Sequence, residues 1–329
     1  MHQRQLGTGG PLVGAIGLGC MSFAGFYGPT DEVESHRTLA LALELGCDFL
    51  DTSNVYGAGL SECIIGSFIA QNPGKFKIAT KAGIRRDSTR GRFFDNSPEH
   101  LRIALEESLK RLGVDYVDLY YIHRREQSRP IEEVMETLLL FKQEGKIGGI
   151  GFSEIAPSSL RRAHAVHPVM AVQSEYSLWT RLPELGMLQT CHELGVAFIP
   201  FSPLARGMFT DSPPNPLTFP DSDFRKANPR FVDPNFSQNS AIISKFRGYA
   251  HDLGLTPAAL ALAWVLNQGD HLIPIPGTRT SKHLLEDLAA ADRQLTTTEL
   301  AEIESLLPIG FAHGDRYSEA QNIGPERYC

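Results

Sequence analysis

The chain lacks the features that mark several whole classes of protein. It has no long apolar run: the longest near the carboxyl end, residues 258–266, falls far short of the roughly 20 residues that a bilayer span needs. Its opening residues, MHQRQLGTGG, contain no apolar core of a secretory leader. No membrane partner is expected, and a cytoplasmic location is the expectation. Positive charge is not in excess, with 31 Lys and Arg against 38 Asp and Glu, a net charge of −7 and a pI near 5.9. The phosphate-neutralising balance of a nucleic-acid binder is therefore missing. Cysteine is scarce and unpatterned. Cys20, Cys47, Cys63, Cys191 and Cys329 are odd in number and form no C-x-x-C pair, which suits neither a disulfide framework nor a zinc site. Reduced thiols and no bound metal are expected. No Tyr-x-x-x-Lys occurs, so the catalytic pair of the short-chain dehydrogenases is absent. No G-x-x-x-x-G-K occurs either, which removes the P-loop.

What is present reads as an ordinary globular chain of 329 residues, 42% hydrophobic and 21% charged, which excludes disorder. Short β-branched or apolar runs alternate with longer stretches of helical period, the pattern of βαβ units and a parallel sheet. The runs lie at residues 16–21, 49–51, 77–81, 117–123, 148–153, 171–175, 196–202 and 272–276. Eight such runs predict a closed barrel. Between them stand amphipathic segments such as residues 98–112, where Leu101, Leu105, Leu109 and Leu112 recur at helical spacing. Ser97 is placed to cap that helix and Gly113 to stop it. Most runs follow one another at the spacing of one strand plus one helix. The last interval is far longer, and its excess falls in residues 205–239, rich in Pro, Asn, Asp and Phe. A structureless insertion of that length belongs to a binding face. The residues after about 307 read as an irregular closing segment over one end of the barrel, with the sequence silent on which.

In a barrel of this type the reactive groups stand at the carboxyl ends of the strands. Asp51, Lys81, His123, Ser153, Gln173 and Ser202 each follow an apolar run or close one. Any one of them reads equally well as a strand end meeting solvent, but six in succession do not. Two other patterns are decoys. Gly17-Leu-Gly19 resembles a dinucleotide fingerprint but has Ser22 in place of the third glycine, so it reads as the first barrel strand. His164 and His167 end a helix just before Pro168 and read as surface residues rather than ligands.

The segments FLDTSNVYGAGLSE, IATKAGI, ESLKRLGVDYVDLYYIHR, GFSE, VQSEYSLWTR, PFSPLARGMF and PIPGTRTSKHLLED resemble, in order and spacing, the aldo-keto reductases. Through GFSE, EYSLWTR and NPRF they look most like the branch that holds the perakine-reductase-like and YakC-like enzymes. The resemblance runs from about residue 6 to residue 291. It implies one barrel domain over residues 1–329, of the α/β class. The expected fold is a (β/α)8 TIM barrel with a short N-terminal hairpin, a long loop after strand 7 and a C-terminal irregular tail.

The activity implied is NAD(P)H-dependent reduction of aldehydes or ketones to alcohols, an oxidoreductase of class EC 1.1.1.-, with a catalytic tetrad of Asp51, Tyr56, Lys81 and His123. The chemistry explains these residue types. Carbonyl reduction adds hydride to carbon while a proton reaches oxygen, so the site needs a hydride donor and a positioned acid. Tyr56 is the expected acid, with Lys81 stabilising the phenolate, Asp51 holding Lys81 charged, and His123 at the substrate oxygen.

The resemblance also implies the cofactor contacts. Ser153 and Gln173 match positions that hold the nicotinamide carboxamide, and Glu154 stands where Asn is more usual, offering an acceptor in place of an amide donor. Phe201 matches the ring that stacks on the nicotinamide. Ser202, Leu204 and Gly207 match the loop beside the pyrophosphate, where Arg206 adds charge. Gly277, Thr278, Arg279, Lys282, His283, Glu286 and Asp287 match the adenosine segment. His283 and Asp287 stand where Arg and Asn are common, which weakens the case for a 2′-phosphate site. NADPH is the expected cofactor, with NADH as the alternative.

The substrate mouth is expected to be lined by Phe23, Phe26, Tyr27 and Trp179, with Phe224, Arg225 and Phe231 from the long insertion, and to take a small-molecule carbonyl. Sugars, pyridoxal-like aldehydes and terpenoid or alkaloid ketones all fit that description, and monomer and homo-oligomer are equally open. Two rival functions share parts of this pattern. One is a slow-turnover NADPH-binding regulatory subunit similar to potassium-channel β subunits. The other is a metal-dependent barrel lyase or isomerase, for which Asp51, His123 and Glu175 are a thin ligand set beside Lys81.

Overall fold

A computed structural model describes residues 1–87, 89 and 91–328; Cys329, read above as a reduced thiol, lies outside the described residues. The chain opens with an antiparallel hairpin, β1 (Gln3–Gln5) and β2 (Leu12–Gly14). The barrel strands follow as β3 (Leu18–Gly19), β4 (Phe49–Asp51) and β5 (Lys77–Ala82). A second hairpin, β6 (Ile84–Asp87) and β7 (Gly91–Phe94), leaves the end of β5 and has no counterpart among the expected elements. The barrel resumes with β8 (Val117–Ile122), β9 (Ile147–Ser153), β10 (Ala171–Glu175) and β11 (Ala197–Phe201). These form one parallel seven-stranded sheet in the order β11-β10-β9-β8-β5-β4-β3.

The eighth run is not a laddered strand, and its prolines explain why. Ile273 and Ile275 donate their N–H groups to Phe198 O (2.9 Å) and Pro200 O (3.0 Å), on the β11 side. Toward β3, Pro274 and Pro276 have no N–H to give and only accept, from Gly17 N (2.9 Å) and Gly19 N (3.0 Å). The seam therefore closes through isolated parallel bridges. Gly17 and Gly19 belong to this seam rather than to any phosphate loop. A Cβ on Gly19 would stand 2.8 Å from Ile275 O, and one on Gly17 would stand 2.7 Å from the Phe49 ring. The rest of run 16–21 turns away as a short 3₁₀ segment, Cys20–Ala24.

Helices α1 (Glu32–Glu44), α2 (Leu60–Ile69), α3 (Pro98–Leu112), α4 (Ile131–Gln143), α5 (Pro157–Val166) and α6 (Met187–Leu194) connect successive strands. Ser97 caps α3 by accepting from His100 N, and Gly113 ends it at φ 67°. The long insertion is not structureless: four 3₁₀ turns run through residues 205–231, and α7 (Asn235–Asp252) begins inside the expected loop. Then come α8 (Pro257–Leu266), buried on all sides, α9 (Ser281–Leu288) and α10 (Thr297–Leu306). Among the described residues no helix is long and apolar enough to cross a membrane.

Two apolar layers hold this frame. Leu6 and Val13 of the first hairpin join Phe49, Leu119, Tyr121, Ile199 and Ile273 inside the barrel, so the hairpin packs its apolar side chains into the barrel interior. The larger layer lies between sheet and helices. The tail after α10 lies over the carboxyl end, where Glu326 pairs with Arg125 (2.8 Å) and Arg316 with Glu154 (2.5 Å). That settles which end the closing segment covers.

Candidate active site

The carboxyl ends of β4, β5 and β8 place Asp51, Lys81 and His123 side by side. Tyr56 reaches the same point from the loop after β4, which doubles back through three consecutive left-handed residues, Gly57, Ala58 and Gly59 (φ 59°, 53° and 94°). A Cβ on Gly57 would press on Ala24 at 2.7 Å, so the turn requires glycine there. Among the described residues, five further non-glycine residues have positive φ, namely Tyr27, Glu154, Ser202, Ala205 and Arg206. All of them lie in loops beyond the carboxyl ends of the strands, and strained backbone of this kind gathers at functional sites.

Lys81 is fully buried (0% exposed) and has all three ammonium protons engaged. Its Nζ donates to Asp51 Oδ1, to Thr52 O at 2.8 Å and to Tyr56 Oη at 3.3 Å. The other Asp51 oxygen accepts from Gln173 Nε2 at 2.7 Å. Burial alone would lower the Lys81 pKa, but the charge of Asp51 and the phenol of Tyr56 outweigh it and raise it, so the ammonium stays charged. Burial raises the phenol of Tyr56 above its usual value, with Lys81 pulling the other way. Tyr56 therefore holds its proton at neutral pH. His123 is held well below the usual imidazole range, by burial first and then by the charges of Lys81, Arg124 and Arg92. Its neutral ring meets Ser53 Oγ through Nδ1 at 3.1 Å and stands edge-on to Tyr56 with centroids 5.9 Å apart. Ser53 and Thr52, which orient two of the four groups, carry no sequence signal beyond their place in the loop after β4.

The other expected site residues fall into two groups. Ser153 ends β9 and Gln173 stands midway along β10 beside this cluster, with Ser153 Oγ accepting from Arg124 Nη1 at 2.9 Å, and Phe201 closes β11 and is partly exposed. Neutral donors and acceptors beside an aromatic face suit a carboxamide-bearing ring. Ser202, Leu204 and Gly207 lie in the left-handed loop that follows. Glu154 and Arg206 have other partners. Glu154 binds Arg316 and accepts from Glu175 N at 2.9 Å, so its carboxylate anchors the tail. Arg206 is buried against Glu175 Oε2 at 2.8 Å, between the rings of Phe224 and Tyr317. Arg316 does not stand out in the sequence, because its partner Glu154 lies 162 residues away; Glu175 stands out there only as one of a thin set of metal-ligand candidates.

At the adenosine segment Gly277, Lys282 and His283 are exposed and Arg279 is half-buried. Among the described residues Lys282 has the distant Glu286 (3.9 Å) as its one ion-pair partner. Asp287 is buried with Thr278 Oγ1 at 3.1 Å. Burial, with Glu286 adding to it and Thr278 opposing, pushes the Asp287 carboxyl up to about 8. The sign is then fixed. The folded protein keeps a proton that the unfolded chain releases near pH ~4, so this residue makes stability fall as pH rises from about 4 to about 8. Asp287→Asn is expected to add about 1–3 kcal/mol at pH 9 and little at pH 5, as read from denaturant unfolding at the two pH values.

The expected substrate mouth needs correcting at Phe23, Trp179 and Phe231, all three of which belong to the buried core. Phe23 is 1% exposed and sits in the core, because the 3₁₀ turn after β3 points it inward. Phe26 is exposed and edge-on to Tyr27, over whose ring the Arg225 guanidinium lies at 4.7 Å. Trp179 and Phe231 are both buried and in contact, and Phe224 packs against Tyr317 of the tail.

Comparison with known proteins points to one family. The model described as "Aldo/keto reductase family" matches residues 15–308. The chain is 42% identical to the "Probable aldo-keto reductase 1" of Glycine max, over 95% of this chain and 91% of that one. It is 39% identical to the NADP(+) aldo-keto reductase yakc of Schizosaccharomyces pombe, over 94% and 93%. Among solved structures, a glycerol dehydrogenase of Gluconobacter oxydans superimposes with a TM-score of 0.84 at 30% identity, covering 93% of this chain and 94% of that one. The holo form of an aldo-keto reductase of Bacillus halodurans gives 0.76 at 27% identity, covering 97% and 99%.

Proposed function

The chain belongs to the aldo/keto reductase family, and on that premise we propose that it reduces aldehydes or ketones to alcohols with NADPH, NADH being the alternative donor, with Tyr56 as general acid. This is EC 1.1.1.- chemistry on a small-molecule carbonyl, carried by one barrel domain over residues 1–329 in the cytoplasm. The observation that carries the reading is the buried chain Asp51–Lys81–Tyr56, which ends in a phenol at the mouth.

Ser153, Gln173 and Phe201 would hold the nicotinamide, and Thr278 with Arg279, Lys282 and His283 the adenosine end. When bound, the nicotinamide supplies the hydride. Tyr56 Oη then gives its proton to the carbonyl oxygen, and the Lys81 ammonium 3.3 Å away stabilises the tyrosinate that forms. Asp51 keeps Lys81 charged. His123, neutral and fixed by Ser53, offers its other ring nitrogen to the same oxygen and orients the carbonyl without competing as an acid. Glu154 anchors the tail over this site.

The test is fluorescence titration with NADPH and NADH, followed by absorbance decay at the nicotinamide band with 4-nitrobenzaldehyde. Tight NADPH binding with aldehyde-dependent oxidation is expected. Binding without turnover across aldehydes and ketones would replace this reading with the regulatory one.

A further inference from the structure

Next to the tetrad stands a cation with no counter-ion. Arg124 follows His123 at the end of β8 and is half-buried. Its Nη1 donates to two neutral acceptors, His123 O at 2.6 Å and Ser153 Oγ at 2.9 Å, and among the described residues no carboxylate pairs with it. The neighbouring carboxylates are all committed elsewhere. Glu126 holds Arg129 (3.0 Å) and Asn96 N (2.9 Å), Asp95 holds Arg85 (2.8 Å), Glu154 holds Arg316, and Glu326 holds Arg125.

A second guanidinium faces the same point. Arg92 of β7 reaches over the mouth and donates to Gln321 O (3.3 Å) and Ile323 O (2.8 Å) of the tail, again without a carboxylate among the described residues. Gly324 of the tail lies against the stem of Arg124 and the Phe94 ring, since a Cβ there would stand 3.2 Å and 2.5 Å from them. Arg124 is thus packed in place. Burial first, and then the nearby charges of Arg124 and Arg86, lower the pKa of Arg92, as like charges held close together do. In a chain of net charge −7, Arg206, Arg225 and Arg316 at the mouth each have a carboxylate, while Arg230 donates to the neutral oxygens of Gly314, Trp179 and Thr180; the gathering of Arg124 with Arg92 costs free energy that an incoming anion would return.

We infer that Arg124, assisted by Arg92, is a specificity residue that selects carbonyl substrates bearing a carboxylate or a phosphate near the reacting carbon. The inference rests on the reductase reading and deepens it. Ser153 is also a nicotinamide contact in that reading, so Arg124 stands beside the reacting carbon rather than at a distant rim. A planar guanidinium with free N–H groups suits a two-oxygen anion, and the apolar rings expected at the mouth would take the remainder of the substrate.

The experiment compares kcat/KM for charged and neutral aldehydes: succinic semialdehyde against butanal for a carboxylate, and glyceraldehyde 3-phosphate against glyceraldehyde for a phosphate. At least one charged member is expected to exceed its neutral partner by about tenfold or more, an advantage that shrinks as salt rises. Arg124→Gln should cut the charged substrate by about tenfold to a hundredfold and bring the ratio near one, while Arg124→Lys retains part of the preference. The pair that keeps the advantage tells carboxylate from phosphate. Equal efficiency within both wild-type pairs, or an equal loss on both members in Arg124→Gln, would overturn the inference. Thermal unfolding with succinate and with inorganic phosphate reads the anion site without turnover. Protection present in wild type and lost in Arg124→Gln supports it, and no difference between the two removes it, even where failure to reduce any aldehyde has already overturned the reductase reading.

Discussion

Tyr56→Phe is expected to lower kcat for aldehyde reduction by about 10²–10⁴-fold while leaving NADPH affinity within a few-fold of wild type. The substitution deletes one oxygen, the one that Lys81 Nζ meets at 3.3 Å. It keeps the ring that stands edge-on to His123, so packing is conserved and the loss is chemical. Steady-state kinetics paired with fluorescence titration separates the two effects. Retention of activity within a few-fold would remove Tyr56 as the acid. The direction of the Tyr56 shift adds a second check. Because burial holds the phenol above its usual value, reduction should be flat through neutral pH and fall only in strongly alkaline solution. Alcohol oxidation, which needs the tyrosinate, should rise over the same alkaline range.

Much of this arrangement could be read from the chain itself, and the exceptions share a physical cause. A barrel strand announces itself locally, as an apolar run ending in a polar residue, and Asp51 and Ser153 close their strands in both sequence and structure, with Lys81 one residue before the end of β5 and Gln173 inside β10. Local caps such as Ser97 and Gly113 are equally legible. Pairings between distant segments are not. Nothing around Glu154 indicates that Arg316, 162 residues away, takes its carboxylate, and nothing around Phe23 says that a 3₁₀ turn buries it. The hairpin of β6 and β7 is short and polar, so it lacks the apolar alternation that marks a strand against a core. The seam at residues 272–276 is the reverse case, an apolar run whose two prolines remove the N–H groups that a ladder toward β3 would need.

The pair beneath Tyr56 should give the largest stability effect in the molecule. Asp51 is 2% exposed and Lys81 not at all, so neither charge has water to fall back on. Asp51→Asn leaves the ammonium with Thr52 O and Tyr56 Oη as its partners, neither of them charged. Lys81→Met strands the carboxylate with only the Gln173 amide. Breaking a buried pair from one side costs about 3–5 kcal/mol, and each single variant is expected to lose that much in urea unfolding. The double variant should lose clearly less than the sum of the two, because no lone charge is left inside the barrel, and that difference is the coupling energy of the pair. Additive losses would mean that water reaches the site and screens it. The pH dependence follows from the raised Lys81 pKa: stabilisation from the pair is complete at neutral pH and is lost as pH rises through that raised value. The deficit of Asp51→Asn relative to wild type should therefore be constant through neutral pH and narrow in alkali. Reduction should fail in Lys81→Met and in the double variant, since without the ammonium the tyrosinate left by proton transfer has no charge to meet it.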